Sequence, residues 1–127
     1  MPVVRMTFNF EMGEDKQSLA DAFHEMMQDV LKIKAHDRLI LIDENPAGFF
    51  QPLDTEGRYA WVEIRLFPGR SAEVKRRLYR RIVRLLEPYG VPVQNTRIVI
   101  HEMEGENWGI RGGKAACDVD LGYSTHI

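Results

Sequence analysis

A proline directly behind the initiator methionine is the least ordinary feature of this 127-residue chain. Removal of Met1 would leave Pro2 with a secondary amine, which can take a proton as a base or, once charged, return it as an acid. An amide-linked proline nitrogen has no such basicity, so this chemistry requires the trimmed form. Read without that chemistry, Pro2 simply starts a strand. Arg70 follows Pro68-Gly69 at a turn, as an exposed cation whose guanidinium could hold a carboxylate through parallel donors or stabilise an enolate. Asp37 lies in a short connection, able to orient a water or a substrate hydroxyl, or to serve as a turn residue. Arg111 sits in a glycine-rich loop with Gly105, Gly109, Gly112 and Gly113, turning around Trp108. The histidines at 24, 36, 101 and 126 lack ligand spacing, and one cysteine adds nothing to a metal site. His24 lies off the apolar stripe of its helix and reads as a surface residue.

These residues need elements to carry them. Val4, Met6, Phe8 and Phe10 alternate with Val3, Arg5, Thr7 and Asn9, the pattern of a half-buried strand. Gly13-Glu14-Asp15 breaks it, and a helix to about Ile33 follows, with Leu19, Ala22, Phe23, Met26, Met27 and Val30 on its apolar face. Leu39-Ile40-Leu41-Ile42 reads as a buried strand parallel to the first. A turn at 45–48 and a linker to Tyr59 come next. The pattern then repeats: strand 60–67 with Val62, Ile64 and Leu66 on one face and Trp61, Glu63, Arg65 and Phe67 on the other, then a helix capped by Ser71, then a buried strand from Arg97. Val62 and Arg97 stand 59 residues after Val3 and Arg38.

The expected fold is therefore α/β, one domain made of a tandem β-α-β duplication (about 2–48 and 59–113) with a tail over 114–127. Right-handed crossovers place both helices on one face of a four-stranded mixed sheet. The other face, carrying Val3, Arg5, Trp61, Glu63, Arg65 and Phe67, is left without cover, which predicts an oligomer.

Composition narrows the function. A net charge of −2 and a pI near 6.1 argue against a dedicated nucleic-acid binder, although the charge is unevenly spread. The basic run Lys75, Arg76, Arg77, Arg80, Arg81 and Arg84 carries no interleaved aromatics and reads as a solvated helix face. A single cysteine, Cys117, precludes an internal disulfide framework and suits a reducing compartment. With no apolar run of membrane length and no leader-like start, a soluble cytoplasmic protein without membrane or nucleic-acid partners is expected.

Pro2 opening a strand, the duplicated unit, Gly69-Arg70-Ser71 opening the second helix and Glu106-Asn107-Trp108-Gly109 near the end occur together. In this combination the chain resembles the tautomerase superfamily, specifically its longer, fused members similar to malonate semialdehyde decarboxylase. The likeness spans about Pro2 to Gly113. It implies cofactor-independent keto–enol tautomerisation of a small 2-keto acid, with Pro2 as general acid/base, and homotrimers whose sheets face inward. It further implies that Arg70 binds a substrate carboxylate, Asp37 joins Pro2 and Arg70 as catalytic, and Trp108 walls off solvent, with Arg111 and Arg65 assisting in substrate binding. Phe67-Pro68 stands where decarboxylase-like members carry a further arginine. The alternatives are decarboxylase-like or hydratase chemistry, and a non-catalytic binding protein if Met1 is retained.

Overall fold

Two β-α-β units share one sheet. The structure, a computed structural model, describes residues 2–127; the expectation that hinges on Met1 concerns a residue outside them. Strand β1 (Val3–Phe8) is followed by α1 (Lys16–Leu31) and β2 (Ile40–Glu44), and then β3 (Ala60–Leu66), α2 (Ala72–Leu86) and β4 (Thr96–Glu102). The sheet order is β2-β1-β3-β4, with β1 parallel to β2, β3 parallel to β4, and β1 antiparallel to β3. A short hairpin of β5 (Gly109–Ile110) and β6 (Lys114–Ala115) follows, and the chain continues to Ile127.

Strand alternation decides which face is closed. Val4, Met6 and Phe8 of β1 and Ala60, Val62 and Ile64 of β3 are wholly buried. They meet Leu19, Phe23, Met27 and Val30 of α1 and Leu78, Ile82 and Leu86 of α2 in one core. Each fully buried aliphatic or aromatic side chain contributes about 1.5–3 kcal/mol of transfer free energy, so this layer supplies most of the fold's stability. Ser71 caps α2 by accepting from the Val74 amide at 3.2 Å, and Glu73 occupies its first turn, both as the sequence requires.

Four expectations need correction. Strands β2 and β4 are edge strands, not buried ones: Leu39 and Leu41 are 53% and 45% exposed, and no residue of β4 is fully buried. Their apolar runs match those of doubly covered strands, but only the helix-side face is covered by this chain. His24 is buried, its Nε2 2.7 Å from the Ala35 carbonyl oxygen as the chain leaves α1. The basic face of α2 is only partly solvated. Arg77 and Arg81 donate to Asp29 of α1 at 2.9 and 2.7 Å, and Arg76 and Arg80 pair with Glu73. The bond from Arg81, above all, holds the Asp29 carboxyl below its ordinary value. Finally, β3 ends at Leu66, and Phe67 is buried rather than on the open face.

Among the described residues, no helix is long and apolar enough to cross a membrane.

Candidate active site at one end of the sheet

The antiparallel pairing of β1 with β3 gathers most of the nominated residues at one end of the sheet. Val3 pairs with Arg65, so buried Pro2 comes level with Leu66, where β3 finishes. The Val4 amide donates to the Leu39 carbonyl at 3.0 Å, which brings the connection carrying half-buried Asp37 beside the head of β1. The Met103 amide donates to the Leu66 carbonyl at 2.8 Å, which brings in the loop leading to Trp108. Pro2, Asp37, the 67–71 turn and the 103–108 loop therefore share one edge.

Arg70 is not the exposed turn cation that its neighbours Pro68-Gly69 imply. It is 5% exposed. Its Nη2 donates to the Leu31 carbonyl at 3.2 Å, in the last turn of α1, where the helix leaves carbonyls unbonded and its dipole favours a cation. Its Nε and Nη1 are buried and have no hydrogen-bond partner, and it forms no ion pair among the described residues. Burial, uncompensated by a carboxylate, lowers its pKa below the ordinary arginine value. The backbone beneath it explains the inward turn. Gly69 has φ +132°, and a Cβ there would lie 2.5 Å from the carbonyl oxygen of Thr125, so the C-terminal segment presses on a position only glycine can fill.

Trp108 is fixed at the same end. Its indole Nε1 donates to the Met103 carbonyl at 3.1 Å, and its ring packs on Phe67 with centroids 5.0 Å apart. Phe67, one residue past the end of β3, is buried with its ring against this indole. A cavity of about 320 Å³ lies between this turn and the C-terminal segment, lined by Phe67, Pro68, Glu104, Cys117, Leu121 and His126 among others. Neither Pro2 nor Arg70 lines it.

The two remaining arginines go elsewhere within one chain. Arg65 lies on the open sheet face, 3.9 Å from Glu63, across the sheet from the Arg70 guanidinium. Arg111 occupies the hairpin tip at φ +48°, and its Nη1 donates to the Asp120 carbonyl at 3.1 Å. It holds the C-terminal segment rather than facing Arg70. Among the described residues, no three His, Cys, Asp or Glu side chains are placed to hold a metal.

Sequence comparison shows the family of the chain. The family model described as "tautomerase enzyme" matches residues 47–111, just over half of the chain. The chain belongs to the tautomerase family. A 2-hydroxymuconate tautomerase from Comamonas testosteroni is 39% identical over 56 residues, covering 43% of this chain and 89% of that protein. The protein is thus a tautomerase, an enzyme of the isomerase type. Solved structures agree on the fold. A malonate semialdehyde decarboxylase, inhibited by 3-bromopropiolate, superimposes with a TM-score of 0.76 at 24% identity, covering 89% of this chain and 92% of that one. A fused 4-OT symmetric trimer gives 0.79 at 16% identity, covering 91% and 96%.

The residues that the sequence did not single out are Phe67 as the support of Trp108, and Tyr123. Tyr123 packs against the core with its ring centroid 5.9 Å from the Arg70 Cζ. Its signal was faint: one aromatic among the small and polar residues of a tail without periodicity.

Proposed function

We propose that this tautomerase interconverts the keto and enol forms of a small 2-keto acid without a cofactor, using Pro2 as acid and base and Arg70 as the carboxylate anchor. The observation that supports the reading most is the buried Arg70 guanidinium, which bears two unpartnered nitrogens and no counter-ion at the edge where β1 begins. A buried unpaired cation is costly and calls for an anionic partner. A substrate carboxylate supplies the charge and accepts the unused N–H groups.

With Met1 removed, the Pro2 nitrogen takes the proton from the carbon beside the carbonyl. The C–H electron pair becomes the new C=C bond, and the carbonyl π pair moves to oxygen as an enolate, which gains a proton to give the enol. Ketonisation runs the same steps backwards. Asp37, at the same edge, orients the hydroxyl or a water, and Trp108 limits solvent access. Arg65 faces outward on the open sheet, so its part in substrate binding, like that of Arg111, falls to a site completed by a neighbouring subunit. The uncovered face fits this arrangement. Arg5, Leu41, Trp61, Arg65 and His101 lie on it, and a homotrimer with sheets turned to a common centre would bury them.

The test separates material with and without Met1 by intact mass and assays each with phenylpyruvate. Activity confined to the trimmed form, and lost in Pro2→Ala, is the expected result. Equal activity in both forms removes Pro2 from the mechanism. No activity in the trimmed form with any enolisable 2-keto acid refutes the substrate class.

A further inference from the structure

The segment after the hairpin folds back over the site edge and is held at several points. The Arg111 Nη1 donates to the Asp120 carbonyl, the Gly122 amide donates to Asp120 Oδ1 at 2.9 Å, and Thr125 lies against Gly69. Between these anchors stands Tyr123, whose ring packs on the core beside Arg70. Its phenol oxygen is buried and has no partner. Arg70 Nε and Nη1 are in the same condition. A buried polar group left without a partner is unfavourable, and native folds leave few. Here three occur on two neighbouring side chains, one a cation and one a neutral O–H donor. A carboxylate accepts from both kinds of donor at once, and phenol and guanidinium have no negative charge to repel it.

We infer that Tyr123 is a substrate-binding residue, its phenol O–H donating to the carboxylate that Arg70 holds, with residues 120–127 forming the roof of that subsite. The inference rests on the reading of Arg70 as carboxylate anchor. It adds a donor from the tail, and with it a preference for acids over their neutral amides.

Tyr123→Phe keeps the ring beside the guanidinium and removes only the hydroxyl. Affinity for benzoylformate, a 2-keto acid that cannot enolise, is measured by calorimetry beside that for benzoylformamide. The expected result is a Kd for the acid raised roughly 10- to 150-fold, as for loss of one hydrogen bond to a charged group, and a Kd for the amide changed by much less. KM for phenylpyruvate should rise by more than kcat falls. Tyr123→His, which restores a donor, should recover part of the acid affinity. A thermal unfolding midpoint within 2–3 °C of wild type identifies an intact fold; if Tyr123→Phe drops further, the His variant carries the comparison. Equal weakening of acid and amide means the hydroxyl is not directed at the carboxylate and overturns the proposal. Unchanged acid affinity in Tyr123→Phe, alongside lost affinity in Arg70→Met, overturns the role of Tyr123 and leaves Arg70 standing. Retained acid affinity in Arg70→Met removes the anchor and the proposal with it.

Discussion

Replacing Arg70 by methionine separates its two possible duties, because the effects on folding and on turnover differ in size. Methionine fills much of the same volume and removes the charge. Folding loses the charge-assisted bond to the Leu31 carbonyl, worth about 1.5–3 kcal/mol, and leaves that carbonyl short of a donor. In the opposite direction, the substitution relieves the burial of a cation with two unpartnered nitrogens, each costing about 1–3 kcal/mol. The contributions nearly cancel, so urea unfolding without ligand should fall within about 1.5 kcal/mol of wild type. Turnover has no such compensation. Losing a charge-assisted contact to a carboxylate costs about 2–3 kcal/mol, which is about 30- to 150-fold in kcat/KM for phenylpyruvate, followed by the absorbance of its enol. Benzoylformate at a hundred times its wild-type Kd should stabilise the wild type by about 2.7 kcal/mol and leave the variant almost unmoved. A variant that loses more than about 3 kcal/mol of stability while keeping kcat/KM within threefold would refute the reasoning and leave Arg70 as a cap on α1.

Other outcomes can be checked with equal economy. In trimmed protein the rate should rise with pH as the Pro2 amine loses its proton, and burial of Pro2 beside a cationic edge should bring that rise below the range of a free secondary amine; a rate flat with pH would argue against an amine base. Light scattering at micromolar concentration should give three times the 14.7 kDa chain mass, and a monomer would leave the open sheet face unexplained. Glu44 has its carboxyl held below the ordinary 4.5 by Lys16 and then by the Met12 amide. A lowered pKa adds stability that is full above the ordinary value and is lost as pH falls through the folded one. Glu44→Gln should therefore flatten the acid limb of a stability-against-pH curve, and an unchanged limb would discount this pair. Gly69→Ala should destabilise by about 1–3 kcal/mol and loosen the C-terminal segment towards proteolysis, because φ +132° and the Thr125 carbonyl both exclude a Cβ.

The core elements were legible because their periodicities are unambiguous. Alternation through Val4, Met6 and Phe8, and helical spacing through Leu78, Ile82 and Leu86, each admit one buried face. Edge placement was not legible. Leu39 to Ile42 is equally apolar whether a helix, a second chain or water covers its outer face, so the sequence carries the need for cover without its source. The site was half legible. Pro2, Asp37, Arg70 and Trp108 could be named from the sequence, but their meeting at one edge comes from the pairing of β1 with β3. The burial of Arg70 could not be read, since it depends on Tyr123 and Thr125, which lie far along the chain in a stretch with no repeating pattern. For the same reason the sequence did not show that the Arg111 guanidinium donates to the Asp120 carbonyl within the chain.

The antiparallel seam between β1 and β3 gives the duplicated halves reciprocal positions. Val3 faces Arg65 while Met6 faces Val62, so exchanging the halves maps the seam onto itself. The far end of the seam is therefore a geometric counterpart of the Pro2 edge, with the halves' parts reversed. There, Trp61 stands in place of Pro2 and is locked in mid-chain, with no amine to release, and exposed Glu11 stands in place of Arg70. Asn9 binds the incoming chain, accepting from the Tyr59 amide at 2.7 Å and donating to the Gly57 carbonyl at 3.0 Å. The two poles of the seam thus differ. At one, Arg70 comes from the half opposite to Pro2, while at the other Asn9 ties the incoming chain to the end of β1. Two identical units paired in this register could not differ at one pole without differing at both; a single chain that carries both can, and its two poles do differ.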